Sequence, residues 1–190
     1  MVSRRRAGEG SVDEEGRVEN IMKNKFLITF AGAVGSSKTP IAHYLSWKLN
    51  FPIFSNDAIR TEVTEDFGLL NDAEYIKRRD NRLEEIIKSG LSFIYDASVD
   101  REWVNLKQEL EVYGYQTFII SLDLSKELLT SLYKIKGYHE TLVKIENFIA
   151  DHENFLKQYS DVVGLHLLDN EFEDRLDISY QKVKNWISQK

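Results

Sequence analysis

The stretch that decides the fold is KFLITFAGAVGSSKT, residues 25–39. Residues 25–32 form a run rich in β-formers that ends in glycine. Residues 41–50, IAHYLSWKLN, then repeat apolar side chains at helical spacing. The sequence therefore predicts a strand, a loop and a helix in direct succession.

The same alternation continues along the rest of the chain. Further strands are predicted at residues 51–57, 91–98, 115–125 and 161–169, and helices at 57–63, 72–88, 100–114, 138–159 and 172–190. Asp57 and Asp100 are predicted at or near helix N-caps. Strands that alternate with helices form βαβ units, so the pattern predicts an α/β fold with a mostly parallel, five-stranded sheet covered on both faces.

Composition bounds the functional classes. The 190 residues, 42% of them hydrophobic, suit one domain with a substantial core. A net charge of −6 disfavours nonspecific nucleic-acid binding. Cysteine is absent and no stretch approaches a membrane span, so we expect a cytoplasmic protein without membrane contact. The four histidines show no metal-ligand spacing.

The N-terminal segment differs in composition from the rest of the chain. Residues 1–22 are rich in Gly, Glu and Arg and poor in bulky apolar side chains, which predicts a disordered tail before a domain at 23–190. The abrupt change suggests Met22 as the biological start, and an unstructured regulatory tail is the alternative interpretation.

The loop matches G-x-x-x-x-G-K-[ST] at every fixed position except the second glycine, which is Ser37. In such a loop the backbone N–H groups and the following helix N-terminus bind phosphates. The predicted nucleotide-binding residues are Gly32, Ala33, Val34, Gly35, Ser36, Ser37, Lys38 and Thr39. Lys38 would reach the β- and γ-phosphates and Thr39 would bind Mg²⁺. Ser37 can adopt helical φ, so it weakens the match without breaking it; an ordinary strand-to-helix turn is the alternative.

A carboxylate follows a neighbouring strand. Asp96 lies where the apolar run of residues 91–98 would leave the sheet, at the edge that carries ligands in open α/β folds. We predict that it holds the metal through water. The alternative is that it caps a turn.

Asp57 and Arg60 lie three residues apart on the predicted helix after the second strand, so both project from one face. The carboxylate could accept a proton from an attacking hydroxyl, and the guanidinium could bind an acceptor's phosphate or carboxylate. An N-cap with a surface ion pair is the alternative.

Taken together, GAVGSSKT, SNDAIR and FIYDAS, in this order, resemble the small P-loop kinases related to polynucleotide kinase and the zeta-toxin kinases. The likeness covers about residues 25–125. It implies a three-layer α/β/α sandwich and transfer of the γ-phosphoryl group of ATP or GTP, with Mg²⁺, to a hydroxyl. It also implies roles for Asp57 as general base, Arg60 as acceptor contact, Lys38 and Thr39 at the donor phosphates, and Asp96 at the metal.

The sequence departs from this family in the lid after the fourth strand. Family members usually carry arginines there, whereas residues 102–174 contain none and the segment 125–140 offers only Lys126, Lys134 and Lys136. Lys134 and Lys136 are candidate substitutes. Arg79 lies on the apolar stripe of its predicted helix. Its side chain either points into the cleft or, as we prefer, extends from beneath a loop to solvent.

Two functional hypotheses follow. The first is a kinase that acts on an unidentified small or nucleotide-like acceptor, with a toxin kinase for a cell-wall sugar nucleotide as a subclass. The second is a catalytically weak nucleotide-binding module, which Ser37 and the arginine-free lid favour. The sequence leaves the oligomeric state open.

Overall fold

The computed structural model describes residues 24–190. Five strands form one sheet in the order β2-β3-β1-β4-β5, and every neighbouring pair is parallel. The strands are β1 (Lys25–Ala31), β2 (Ile53–Ser55), β3 (Phe93–Ser98), β4 (Tyr115–Leu122) and β5 (Val163–Leu167). This topology confirms the predicted parallel α/β sheet. The predicted tail and its boundary at residue 22 lie outside the described residues.

Eight helices connect and follow the described strands. They are α1 (Lys38–Leu49), α2 (Asn56–Phe67), α3 (Asp72–Ser89), α4 (Trp103–Val112), α5 (Lys126–Lys136), α6 (His139–Leu142), α7 (Ile145–Tyr159) and α8 (Arg175–Ile187). No helix among residues 24–190 combines the length and the apolar character that crossing a membrane requires.

The core has two halves, one on each face of the sheet. Successive residues of β1 alternate between them, with Ile28 and Phe30 on one side and Leu27 and Ala31 on the other. Helices α1, α5 and α8 pack on the first face and α2, α3 and α4 cover the second, while α7 contributes Ile145 to the first half of the core and Phe155 to the second. The result is the three-layer α/β/α sandwich that the resemblance implied.

One helix prediction was wrong and one helix was missed. The helix predicted at residues 138–159 is interrupted, because α6 ends at Leu142 and α7 begins at Ile145. Val143 at the break is 83% exposed, so the apolar stripe does not continue through it. Helix α5 was not predicted, although Ser125 caps its N-terminus through the amide of Leu128 and Gly137 ends it with a left-handed φ of 71°.

Candidate active site

A cleft of about 520 Å³ opens at the carboxyl edge of the sheet. The loop between β1 and α1 forms one wall, the start of α2 and the end of β3 form the floor, and α3 and the end of α5 complete the sides. This is the edge at which open parallel sheets bind ligands. Lys38, Thr39, Asp57, Arg60 and Asp96, all predicted from sequence, line this one cleft.

The loop turns tightly because three of its residues have positive φ. Gly32 has φ 125°, Gly35 has φ 77° and Ser37 has φ 83°. The expectation of a helical φ at Ser37 was therefore wrong, since its backbone is left-handed. A serine is strained there, whereas the glycine of the usual motif is not.

The N-terminus of α1 is suited to bind an anion. Ser55, Asn71 and Ser125 cap helices α2, α3 and α5 with their side chains, but among the described residues no side chain caps α1. The first turn of α1 also contains no acidic residue. The first N–H groups of any α-helix lack intrahelical acceptors, and those of α1 adjoin the cleft, where a phosphate oxygen could accept from them.

The side chain of Lys38 lies inside the loop. Its Nζ donates to the carbonyl oxygens of Gly32 and Ala33, at 2.9 and 2.7 Å, and to Ser36 Oγ at 3.2 Å. Burial lowers the pKa of Lys38 to about 8, against the opposing charges of Asp100 and Asp96. The ammonium has to break these hydrogen bonds to the carbonyl groups before it can contact a bound phosphate.

Thr39 and Asp96 meet beside the loop. Thr39 Oγ1 donates to Asp96 Oδ1 at 3.3 Å. Burial raises the pKa of Asp96, and the hydrogen bond from Thr39 opposes that shift. Within residues 24–190 no group of three or more His, Asp or Glu side chains is arranged to hold a metal. One hydroxyl and one carboxylate nevertheless fit Mg²⁺, which takes few protein oxygens and completes its shell with water and phosphate oxygens.

Asp57 and Arg60 lie at the start of α2 on the opposite side of the cleft. Arg60 Nη1 donates to Asp57 Oδ1 at 2.8 Å, and the guanidinium stacks on the ring of Tyr75 with its carbon 4.6 Å from the ring centre. Ser55, not Asp57, caps the helix, through a hydrogen bond from the amide of Ala58. The Asp57 carboxylate therefore remains accessible, with 84% of its side chain exposed.

Helix α5 contacts the loop from the lid side. The Tyr133 hydroxyl donates to the carbonyl oxygen of Val34, and Lys136 Nζ donates to that of Gly35 at 2.6 Å. The ring of Tyr133 lies so close to Gly35 that a Cβ there would be 2.5 Å from it. Of the lid lysines, Lys136 lines the cleft, while Lys126 pairs with Glu146 outside it.

Arg79 also lines the cleft, contrary to our preferred interpretation of a side chain that extends to solvent. It is 20% exposed and pairs with Asp80 and with Glu102 Oε1 at 2.8 and 3.0 Å. Sequence reasoning missed Tyr75 and Arg101 as cleft residues. Arg101 lies three residues after β3, at the ligand-binding edge, and that position could have identified it.

Asp100 does not cap a helix as predicted. Both its carboxylate oxygens accept from the amide of Gly32, at 3.1 and 3.2 Å, and α4 begins only at Trp103. The same carboxylate lies 3.2 Å from Nδ1 of His152 on α7. Sequence reasoning did not select His152, because its partners come from distant parts of the chain.

Comparison with known proteins reports likeness at the level of the fold. No protein-family profile and no curated protein matches the chain. Among solved structures, a proposed kinase from Chloroflexus aurantiacus is similar with a TM-score of 0.62 and 19% identity, over 87% of this chain and 97% of that one. A shikimate kinase from Bacteroides thetaiotaomicron is similar with a TM-score of 0.54 and 17% identity, over 86% of this chain and 98% of that one.

A structure from the PezAT toxin-antitoxin system of Streptococcus pneumoniae gives a TM-score of 0.53 at 15% identity, over 93% of this chain and 94% of that one. The chain therefore shares its α/β fold with these structures. A particular relation to polynucleotide kinase remains an inference from the sequence motifs.

Proposed function

We propose that this chain is a magnesium-dependent kinase that transfers the γ-phosphoryl group of ATP or GTP to a hydroxyl of a small or nucleotide-like acceptor. The observation that carries the proposal is the convergence, in one cleft, of an uncapped helix N-terminus, a lysine held inside the loop, a hydroxyl–carboxylate pair and an exposed Asp–Arg pair. The kinase fold of the similar structures agrees with it.

The donor would bind along residues 32–39. The amide N–H groups at the start of α1 would donate to the phosphate oxygens, and Lys38 would exchange the carbonyl groups of Gly32 and Ala33 for the β- and γ-phosphates. Thr39 and Asp96 would hold Mg²⁺, which when bound offsets charge on the phosphates.

The acceptor would bind on the side of Asp57. Its carboxylate would take the proton of the attacking hydroxyl as the oxygen–phosphorus bond forms and the bond to the β-phosphate oxygen breaks, which releases the nucleoside diphosphate. Arg60 and Arg79 present guanidinium groups at this end of the cleft and would bind an anionic group of the acceptor. Lys136 would face the transferred group in place of a lid arginine.

The test uses Asp57→Asn with Glu65→Gln as a matched control, because Glu65 is an exposed carboxylate on the same helix. Phosphoryl transfer is measured on a panel of hydroxyl acceptors and ATP affinity by titration calorimetry. Asp57→Asn should abolish transfer and leave ATP affinity nearly unchanged, and the control should alter neither. Loss of ATP binding in Asp57→Asn would contradict its assignment to the acceptor side.

The second candidate function is a nucleotide-binding module with little turnover. It is favoured by the strained Ser37 and by a lid without arginine between residues 102 and 174. Stabilisation by ATP without transfer to any acceptor would support it over the kinase.

A further inference from the structure

A chain of Asp and His side chains lies beside the phosphate loop. It consists of Asp100 after β3, His152 on α7, Asp123 after β4 and the exposed His166 on β5, and we refer to it as the Asp–His network. His152 Nδ1 is 3.2 Å from Asp100 Oδ1, and Nε2 is 2.9 Å from Asp123 Oδ1. The proposed phosphoryl transfer uses none of these four groups.

The geometry defines the protonation state of His152. Both ring nitrogens face carboxylate oxygens, which only accept, so both hydrogen bonds form only when both nitrogens carry protons. Burial alone would lower the pKa of His152, but the bonds to Asp100 and Asp123 outweigh it and raise the pKa to about 9. His152 is therefore an imidazolium at neutral pH.

The network ends at the first glycine of the loop. Asp100, with 7% of its side chain exposed, accepts from the amide of Gly32 with both oxygens. The carbonyl oxygen of the same glycine accepts from Lys38 Nζ. The two sides of Gly32 are thus held by a carboxylate and by the cation of the loop.

We propose that His152 is a positioning residue for the phosphate loop: its imidazolium holds the Asp100 carboxylate on the Gly32 amide and compensates that negative charge beside the anion site. Asp123 fixes the other side of the ring, and Ser121 and His166 in turn donate to Asp123. The other charges nearby are the Arg101–Asp151 pair, with Nε and Oδ2 3.6 Å apart, and Lys38.

Removal of the imidazolium would leave Asp100 buried without its counter-charge. A buried unpaired carboxylate is costly, so it would turn away from Gly32 toward solvent, or remain and repel the incoming phosphates. Either response weakens anion binding without any change in a group that touches the nucleotide. The expected loss of phosphate binding rests on the proposed function, whereas the hydrogen bond from the Gly32 amide to Asp100 does not.

The experiment compares His152→Gln with His139→Gln, which makes the same change at an exposed histidine on α6. NMR follows the Gly32 amide, and calorimetry measures the affinity for ATP with Mg²⁺. In His152→Gln we expect the Gly32 amide to shift upfield and exchange faster, and ATP affinity to fall roughly tenfold or more. His139→Gln should change neither.

Charge compensation separates positioning from a general loss of structure. His152→Gln combined with Asp100→Asn removes one charge of each sign, so it should recover part of the affinity lost in His152→Gln. If His152→Gln does not fold, Asp100→Asn alone should shift the Gly32 amide and lower the pKa of His152. An unchanged Gly32 amide, or a double variant no better than His152→Gln, would overturn the proposal.

The two proposals fail in different ways. If the unaltered chain binds no ATP, the proposed function fails, and the Gly32 amide still decides whether His152 holds the loop. If the chain binds ATP and the Gly32 amide ignores His152→Gln, only the positioning role fails.

Discussion

Ser37→Gly should stabilise the protein, although it removes a side chain that is 8% exposed. The left-handed backbone at Ser37, with φ 83° and ψ 33°, costs an L-residue about 1–2 kcal/mol. Glycine avoids that strain. It also raises the entropy of the unfolded chain, which lowers the free energy of unfolding by about 0.4–1 kcal/mol. The net gain should be about 0.5–1 kcal/mol, or a rise in Tm of about 1–4 °C for a chain of this size.

The measurement is urea unfolding of three variants, with free energies from linear extrapolation. Ser37→Ala keeps the Cβ and so the strain, and should not exceed the unaltered chain in stability. Asn50→Gly is the matched backbone control, since Asn50 is the other left-handed non-glycine residue described, and asparagine tolerates that conformation better. A loss of 1 kcal/mol or more in Ser37→Gly would refute the reasoning, because it would mean that the serine side chain stabilises the loop.

The remaining predictions concern the lid and the dependence of stability on pH. Lys136→Ala should lower kcat roughly 10- to 100-fold and change ATP affinity much less. Lys134→Ala makes the same change at an exposed position on the same helix and should leave both kcat and ATP affinity unchanged. Equal kcat in the two variants would show that Lys136 has no role in the mechanism. His152, with its pKa raised to about 9, should contribute up to about 3 kcal/mol of stability that is complete below pH 6.5 and lost as the pH rises through 9. Lys38, with its pKa lowered to about 8, has the opposite effect on the pH dependence of stability. The measurement is therefore the difference in free energy of unfolding in urea between the unaltered chain and His152→Gln from pH 6 to 10. This difference should decrease as the pH rises, and a constant difference would contradict the assignment.

Local patterns in the sequence predicted most of the fold. The run from Lys25 to Ala31 is buried almost throughout, and the left-handed Gly90 ends α3 as expected from its position. Parallel pairing followed from the alternation of strands and helices, because a crossover helix returns the chain to the same edge of the sheet. The break at Val143 was missed because apolar spacing alone does not show whether a helix is continuous.

The candidate site was predictable where its residues lie close to the ends of strands. Asp57 follows β2, Asp96 lies in the C-terminal half of β3 and Thr39 begins the helix after the β1 loop, so the topology brings them together. The conformation of Ser37 was not predictable, since serine rarely adopts positive φ and only the surrounding turn imposes it.

The partners of His152 could not be read from sequence for a different reason. Asp100 and Asp123 lie on two different segments, and only the packing of α7 against the sheet brings them to the imidazole of His152; His166 contacts Asp123 instead. Spacing arguments detect ligands on one element or on one edge. A network that crosses the core has no such signature.

The central claim is that the loop at residues 32–39 binds the triphosphate of a nucleotide. Titration calorimetry of ATP with Mg²⁺ into the unaltered chain, Lys38→Ala and Lys134→Ala tests it most directly. The account predicts saturable binding to the unaltered chain and to Lys134→Ala. Binding to Lys38→Ala should be at least tenfold weaker, because the Lys38 ammonium lies within the loop that would bind the phosphates. Equal affinity in all three proteins, or no binding to the unaltered chain, would contradict it.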